Sequence, residues 1–262
     1  MGVLQGIARV ARRALRRLRF AAWALRLRSR LARHGCRLEV SAPDGAPLFE
    51  RRPVVRLHSE GDERGALTLR FGSGVSLGRD VVLDVWAGDA NVLELESGAR
   101  LDDRVRVALR GGHVHIGSAS IVRESGELDV EGLLITGREA DFGSGAVVRC
   151  TQRVELGDRV SLAERCSISD VGHGQAGSDT NGSEPVVEPV EIPSDTLVGP
   201  NCVLTQGVRL GEGSIVEPGA LVYPGDYPAG WVLAGSPARA IRPLDDGDDG
   251  PPLGRLPDRS AR

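Results

Sequence analysis

The feature that most constrains this chain is an apolar residue that returns every six positions between Val154 and Ile241. The period is interrupted after Ile168 and resumes 24 residues later at Ile192, so the register survives the interruption. A period of six fits neither the 3.6-residue turn of an α-helix nor the alternation of one flat strand. The register is carried by large aliphatic side chains: Leu156, Leu162, Ile168, Ile192, Val198, Leu204, Leu210, Val216 and Val222.

A smaller residue follows many of these aliphatics at the fourth position, as in Val160, Cys166, Cys202, Ser214 and Ala220. The pattern predicts a short strand, a turn and another short strand, with the aliphatic and the small residue both directed inward. Three such sixes make one triangular turn of about 18 residues, which stacks on its neighbours at ordinary strand spacing. The sequence therefore predicts an all-β fold, a parallel β-helix with a column-shaped core.

Blocks of the same design occur earlier in the chain and together form an internal repeat. Their spacing is uneven at first and settles to 18 between Ile192 and Leu210, which predicts small insertions at the corners of the N-terminal coils. The blocks begin at Leu69, Leu93, Val114, Ala140, Val154, Val190 and Val208.

Composition supports the same fold. Aromatic residues make up 3% of the chain and glycines number 35, which suits a β-helix of branched and small residues better than a conventional globular core. The four cysteines, Cys36, Cys150, Cys166 and Cys202, show no paired CxxC spacing. They are predicted to be reduced core thiols of a cytoplasmic protein.

The net charge of −3 hides a basic N-terminus, since residues 1–34 contain ten arginines and no acidic residue. Residues 3–34 are predicted to form one amphipathic basic helix, with Arg on one side and Phe20 and Trp23 near the boundary. Arginine interrupts every candidate apolar run, so the segment matches neither a secretory signal nor a membrane-spanning helix. Its apolar stripe is Val3, Ile7, Val10, Ala14, Leu18, Ala22 and Leu25.

Two interpretations of residues 1–35 remain open. The helix lies on an anionic membrane surface, or it packs on the end of the β-helix or on a neighbouring subunit and has a basic solvent face. Nothing elsewhere in the chain supports binding of nucleic acid.

The rest of the chain divides by composition. Residues 36–65 are expected to be a connector and a first, irregular coil that covers one end of the column. Residues 66–244 are the repeat region, in which the polar, Gly-rich stretch 169–189 leaves the column as a loop. The segment from Tyr227 to Trp231 and the strand after it cover the other end, and 245–262 is an acidic, Pro-rich tail expected to be disordered.

Three segments resemble the hexapeptide-repeat acyltransferases: Val198-Gly199-Pro200-Asn201-Cys202-Val203, Leu210-Gly211-Glu212-Gly213-Ser214-Ile215-Val216 and Ala234-Gly235-Ser236-Pro237-Ala238-Arg239-Ala240-Ile241. The resemblance is close over 154–243 and looser over 69–148. That family folds as a left-handed parallel β-helix, so the resemblance implies this fold and an acyltransferase of the sugar O-acetyltransferase type.

The resemblance also implies the catalytic residue. Family members carry a catalytic His in a loop after an Ile-x-Asp step, and His173 follows Ile168-Ser169-Asp170 in this way. A neutral imidazole titrates near the working pH and can remove the acceptor's proton. Asp170 is a candidate for orienting the ring. The chain departs from the family at Val171 and Gly172, where a second His or an aromatic residue is common, and a loop histidine exposed by chance is the alternative.

The implied acyl donor is acetyl-coenzyme A or a longer acyl-coenzyme A. In the family its pantetheine arm lies between two subunits of a homotrimer, and its nucleotide end lies near a closing segment that here is Gly235, Ser236, Pro237, Ala238 and Arg239. Arg239 is suited to bind a phosphate. The alternative is that Pro237 simply ends the last coil and Arg239 is a surface charge.

Other functions are less well supported. His113 and His115 share a face, but a metal site of the hexapeptide carbonic anhydrase type would need the distant His173 as its third ligand, so no metal is predicted. The predicted acceptor is a sugar or glycan-type hydroxyl, and the predicted location is cytoplasmic, with peripheral contact to the inner membrane face. A non-catalytic scaffold at the membrane surface and an antibiotic-modifying acetyltransferase of the same fold are the alternatives.

Overall fold

The structure, a computed structural model, describes residues 2–59, 64–88, 90–173 and 185–244, without the side chains of residues 2–10, 12, 13 and 173. This part of the chain contains one α-helix, α1 (Gly2–Ala32), and 29 strands, numbered in chain order. The strands form three long sheets and one short hairpin.

The first sheet joins nine parallel strands along one side of a column. In spatial order they are β1 (Cys36–Ser41), β4 (Gly65–Phe71), β7 (Ala90–Leu95), β10 (His113–Ile116), β13 (Leu133–Thr136), β16 (Arg153–Leu156), β21 (Val190–Ile192), β24 (Val208–Arg209) and β27 (Gly225–Asp226).

The second sheet contains ten strands, of which the last is antiparallel to its neighbour. They are β2 (Leu48–Phe49), β5 (Ser76–Leu77), β8 (Arg100–Leu101), β11 (Ile121–Val122), β14 (Asp141–Phe142), β17 (Ser161–Leu162), β22 (Leu197–Val198), β25 (Ile215–Val216), β28 (Trp231–Gly235) and β29 (Ala238–Pro243).

The third sheet contains eight strands, and a separate two-stranded hairpin leaves the column. The sheet consists of β3 (Val54–His58), β6 (Val82–Trp86), β9 (Arg106–Leu109), β12 (Glu127–Val130), β15 (Val147–Cys150), β18 (Ser167–Ser169), β23 (Val203–Leu204) and β26 (Leu221–Val222). The hairpin consists of β19 (Val171–His173) and β20 (Pro185–Val187).

The chain visits the three sheets in turn, so each coil contributes one strand to each sheet and the predicted parallel β-helix is confirmed. Coils differ in length, because His113 pairs with Leu133 in the middle of the column whereas Glu191 pairs with Arg209 near its C-terminal end. The middle coils therefore carry two residues more than the regular 18, as the uneven repeat predicts.

The six-residue register lies inside the column. Its aliphatics, from Leu156 to Val222, are buried, and so are the small residues at Val160, Cys166, Cys202, Ser214 and Ala220. Among these small residues, the polar ones donate hydrogen bonds to main-chain carbonyls of the next coil. Cys166 Sγ lies 3.1 Å from the Gly199 oxygen and Ser214 Oγ lies 3.0 Å from the Pro228 oxygen. These bonds satisfy polar atoms that are buried in the core.

The corners of the coils place residues in the left-handed region of backbone conformation. At the turn into the third sheet, Asp80, Arg104 and Asn201 have φ of 56°, 59° and 58°. Gly219 occupies the same place in the last such turn with φ of 73°. Glycine adopts this conformation without the steric cost that a Cβ imposes, which accounts for part of the high glycine content.

Helix α1 covers the N-terminal end of the column, which is one of the two interpretations of residues 1–35, and the first coil lies beneath it. Residues 36–58 form a complete first coil, since β1, β2 and β3 each pair in parallel with a strand of the second coil. The open end of this coil would expose core side chains, and the helix supplies the apolar surface that buries them. The helix residues that face the column are Phe20, Trp23, Ala24, Leu27 and Leu31.

The helix lies across the end of the column, because its side chains reach all three sheets. Phe20 contacts Phe71 of the first sheet at a ring-centroid distance of 6.0 Å, and Trp23 contacts Phe49 of the second sheet at 5.2 Å. Arg30 donates a hydrogen bond to the carbonyl of Val55 in the third sheet. Among the described residues no helix is long and apolar enough to cross a bilayer.

The opposite end is closed by the hairpin of β28 and β29, and the predicted covering residues Tyr227 and Trp231 pack against the core. The predicted tail, 245–262, lies outside the described residues.

The four cysteines are buried and unpaired by disulfide bonds, as predicted. Burial raises the pKa of each thiol, and the pKa of Cys150 and of Cys166 reaches about 12 from an ordinary value of 9.0. The chain contains no lysine and two tyrosines, so few other side chains titrate in this range.

The free energy of unfolding is therefore expected to fall as the pH rises from about 9 to about 12. In this range the unfolded thiols of Cys150 and Cys166 have ionised while the folded thiols of these two residues remain neutral, so the unfolded state binds fewer protons. Below pH 9 the contribution of these thiols is fully present. Cys166→Ala should reduce the slope of unfolding free energy against pH by about 1.4 kcal/mol per pH unit, measured by denaturant titration. Val160→Ala, a truncation at another inward position, should leave the slope unchanged, and an unchanged slope in Cys166→Ala would contradict the prediction.

Candidate functional site

A hairpin leaves the column between the third sheet and the first sheet. Strand β18 ends at Ser169 and β21 begins at Val190, and between them β19 and β20 pair in antiparallel fashion. The pairing places Val171 opposite Val187 and His173 opposite Pro185. The stretch 174–184 lies outside the described residues. The hairpin thus sets the main chain of His173 beside the column, at the level of the sixth and seventh coils.

Asp170 anchors the start of this hairpin. Its side chain is fully buried, and its carboxylate accepts three main-chain hydrogen bonds. Oδ1 accepts from the amide of Thr151 at 2.7 Å, and Oδ2 accepts from the amides of Gln152 at 2.6 Å and Arg153 at 2.8 Å. Hydrogen bonds from amides to an ionised carboxylate are among the strong ones in proteins. The carboxylate therefore fixes the hairpin to the turn between β15 and β16.

The main chain of Asp170 also holds the second strand of the hairpin. Its carbonyl accepts a hydrogen bond from the amide of Glu188 at 2.9 Å, and the Glu188 carbonyl accepts one from Gly207 at 3.1 Å. Both ends of the excursion are therefore tied to the column. The carboxylate, expected to orient the imidazole of His173, has the amides of residues 151–153 as its hydrogen-bond partners within the described part of the chain.

Gln206 also lies at this site, although it was not among the residues predicted from the sequence. Ile168 pairs with Leu204, so Gln206 lies one coil above Asp170 at the same corner. Its amide lies against Gly172, where an added Cβ would sit 2.3 Å from Gln206 Oε1. The equal spacing of Ile168-Ser169-Asp170 and Leu204-Thr205-Gln206 was the signal in the sequence that links the two corners.

The closing segment forms the turn between β28 and β29 at the C-terminal end of the second sheet. Gly235 pairs with Ala238, and Ala238 is buried. Arg239 is exposed, and its Nη1 donates a hydrogen bond to the Ala238 carbonyl at 3.0 Å. No carboxylate pairs with this guanidinium among the described residues, so its charge faces solvent. The segment lies on a different sheet from the hairpin, nearer the C-terminal end of the column.

His113 and His115 lie on the outer face of β10, as their position beside the buried Val114 and Ile116 predicts. His115 Nε2 lies 3.1 Å from Glu96 Oε1, and burial lowers the pKa of His113. Within the described ranges no group of three or more His, Cys, Asp or Glu side chains is arranged to hold a metal ion.

No family model matches the chain. Over 65 residues, 25% of its length, the chain is 46% identical to 2,3,4,5-tetrahydropyridine-2,6-dicarboxylate N-acetyltransferase of Staphylococcus aureus strain bovine RF122 / ET3-1. The match spans 27% of that relative, so the chain covers about a quarter of the length of the curated relatives it matches.

Two solved structures are also similar. The hexapeptide-repeat containing acetyltransferase VCA0836 of Vibrio cholerae, complexed with acetyl-coenzyme A, is 24% identical with a TM-score of 0.47, over 50% of this chain and 71% of that one. The polySia specific acetyltransferase NeuO is 18% identical with a TM-score of 0.43, over 80% of this chain and 87% of that one.

The repeat, the three parallel sheets and the local match define the class of the protein. The chain is a hexapeptide-repeat parallel β-helix. The predicted β-helix is present, and over the 65 matched residues the sequence is similar to that of an N-acetyltransferase.

The buried carboxylate of Asp170 yields a stability prediction. Asp170→Asn would direct an amide N–H at main-chain N–H groups that now donate to the carboxylate, and we expect a loss of about 2 kcal/mol of unfolding free energy. Asp226→Asn removes a carboxylate that is 82% exposed and 3.5 Å from Arg209, so a change below about 1 kcal/mol is expected. Urea titration measures both variants, and equal losses would contradict the anchoring role of Asp170.

Proposed function

We propose that the protein is an acyltransferase that moves an acetyl or other acyl group from acyl-coenzyme A to a hydroxyl of a sugar or glycan-type acceptor. The observation that carries this proposal is the hairpin of β19 and β20, which Asp170 and Glu188 fix to a hexapeptide-repeat column at the level of His173. The local similarity to an acetyltransferase supports the reaction class.

His173 is the proposed general base. A neutral imidazole accepts the proton of the acceptor hydroxyl as the oxygen attacks the thioester carbonyl, and the imidazolium then returns the proton to the leaving thiolate. One C–O bond forms, one C–S bond breaks and the proton ends on sulfur, so no further reactant is required. Main-chain amides are the proposed donors to the oxyanion.

Asp170 is proposed to act as a positioning residue. Since its carboxylate binds the amides of residues 151–153, its influence on His173 runs through the three-residue main-chain path along β19. A base held on a fixed main chain loses less entropy when the acceptor binds than one on a free loop.

The corner around the hairpin suits a polar acceptor. Gln206 lies against Gly172, and Glu188 is exposed at the base of β20. An amide and a carboxylate together donate to and accept from hydroxyl groups. The curated relative is named as an N-acetyltransferase, so amine acceptors belong in the test beside sugar hydroxyls.

The acyl donor is proposed to bind as a substrate along the C-terminal coils, with its phosphates near Gly235, Ser236, Pro237, Ala238 and Arg239. Arg239 supports this placement because its guanidinium is exposed and has a main-chain carbonyl as its partner in the described structure. A homotrimer, with the donor between subunits, and a cytoplasmic location with peripheral membrane contact through residues 1–35 are parts of the same proposal.

Loss of the base should reduce turnover and leave donor binding intact. We expect His173→Ala to lower the rate of thiol release from acetyl-coenzyme A by about a hundredfold or more, with an unchanged dissociation constant for coenzyme A by calorimetry. His34→Ala, at an exposed position after α1, is the control and should behave as wild type. If His173→Ala turned over as fast as wild type, His173 would not be the general base. If wild type did not bind coenzyme A, the acyltransferase proposal would fail and the non-catalytic scaffold would be the remaining hypothesis.

Loss of the Arg239 charge should weaken donor binding specifically at a phosphate. We expect Arg239→Gln to raise the dissociation constant for coenzyme A by about tenfold, and to have less effect on 3′-dephospho-coenzyme A if the 3′-phosphate is the partner. Arg242→Gln, three residues along the same strand, is the matched control. Equal affinity of Arg239→Gln and wild type for both ligands would contradict the role.

A further inference from the structure

Helix α1 has two apolar faces on opposite sides, and only one of them meets the column. The inner face packs on the first coils through Phe20, Trp23, Ala24, Leu27 and Leu31. The outer face points away from the column, and we define it as Ala11, Ala14, Leu15, Leu18, Ala22 and Leu25. Leu15, Leu18 and Leu25 are 49%, 68% and 64% exposed. The described side chains of the apolar stripe that was predicted from the sequence are therefore exposed to solvent and are not part of the core.

Arginines border the outer face on both sides. At 3.6 residues per turn, Arg19 and Arg26 follow one edge of the stripe and Arg17 and Arg28 follow the other. All four are exposed. An apolar stripe between two basic rows is the arrangement of a helix that lies in the interface of a membrane, where leucines enter the acyl boundary and guanidinium groups meet headgroup phosphates.

The charge of α1 is not neutralised within the described structure. The column pairs its arginines with carboxylates, as in Arg123 with Asp141 and Arg159 with Asp195. No ion pair of this kind involves an arginine of α1 among the described side chains, and residues 1–34 contain no acidic residue. The surface therefore offers positive charge to an external partner.

We propose that the outer face of α1 docks on an anionic lipid surface. A second copy of the helix is a poor occupant, because packing two outer faces together would bring the basic rows of both helices close to each other. Nucleic acid would use the arginines but would leave three exposed leucines in water. A bilayer with anionic headgroups satisfies both the charge and the apolar stripe.

The docking fixes the orientation of the whole column. Helix α1 lies across the N-terminal end of the column. Its inner face contacts the column and its outer face would contact the membrane, so the axis of the column stands perpendicular to the membrane plane. The hairpin is five to six coils from that end, roughly 25 Å along the axis. The docking does not depend on acyl transfer. Taken with the proposed function, it places the reacting hydroxyl of a membrane-bound acceptor well above the headgroups, as in a glycan carried on a lipid.

The test is co-sedimentation of the full chain with vesicles of phosphatidylcholine alone and of phosphatidylcholine mixed with phosphatidylglycerol. We expect binding to the anionic vesicles, and a loss when NaCl is raised from about 0.1 M to about 0.5 M. Leu18→Ser should weaken this binding by about tenfold, and the double variant Arg19→Gln/Arg26→Gln should weaken it by a similar factor. Ile241→Ser, which removes an aliphatic that is 54% exposed on β29, is the matched control and should bind as wild type.

Fluorescence checks which face meets the lipid. A tryptophan introduced by Leu18→Trp should shift its emission to the blue on anionic vesicles and be quenched by brominated lipid. Trp23, which is buried against Phe49, should not respond. Thermal unfolding of Leu18→Ser should match wild type, because the side chain is largely in solvent.

Several results would overturn the proposal. These are equal binding to both kinds of vesicle, unchanged binding in Leu18→Ser, quenching of Trp23, self-association that Leu18→Ser abolishes in the absence of lipid, or tighter binding to duplex DNA than to anionic vesicles. Thiol release with a soluble acceptor, measured on the same variants, separates a failure of docking from a failure of the proposed enzyme.

Discussion

The structure depends on one constraint, which is that every coil must present its main chain to the coil above and below while directing the same few side chains into a narrow interior. Parallel pairing joins coil to coil in all three sheets, so a residue's place in its six decides whether it is inside or outside. That is why Cys166 and Ser214, although polar, are buried and bond to carbonyls of the next coil. It also explains why an insertion must leave the column at a corner, since any other place would break a ladder of hydrogen bonds on both sides.

The hairpin that carries His173 is the largest such insertion, and the way it leaves shows how a rigid scaffold supports a functional segment. A buried carboxylate replaces the strand contacts that the chain gives up, because Asp170 accepts three amides from the turn of the preceding coil. Proteins whose sites are built on loops commonly fix the base of the loop to a rigid scaffold, while the sequence of the loop itself differs from one protein to another. Gln206 extends the fixed part of this corner into the next coil.

The sequence predicted the fold from the period of its inward aliphatics, because this period is a direct consequence of the coil geometry. It predicted the site less completely, for physical reasons that differ between residues. The hydrogen bonds of Asp170 join residues 17 to 19 positions apart, and the spacing of Ile168 and His173 contains no information about residues 151–153. The role of α1 was open because both of its apolar faces repeat with the same helical period. The sequence alone does not show that Leu27 packs on the column while Leu18 faces solvent. The first coil, 36–58, looked irregular because its strands carry corners rich in Pro and Gly.

The helical cap has a consequence for how the column behaves without it. The first coil has a free edge in each of its three sheets, and in the intact chain α1 lies over that end and buries Leu38 and Val55 beneath it. Removal of residues 1–35 would leave an exposed apolar end with unpaired strand edges. Such edges are a template on which the strands of another chain can pair. Two truncated columns would then join through their exposed first coils, and because the β28–β29 hairpin closes the other end, the product would be a closed dimer. The helical cap is therefore what keeps this end from pairing with a second copy.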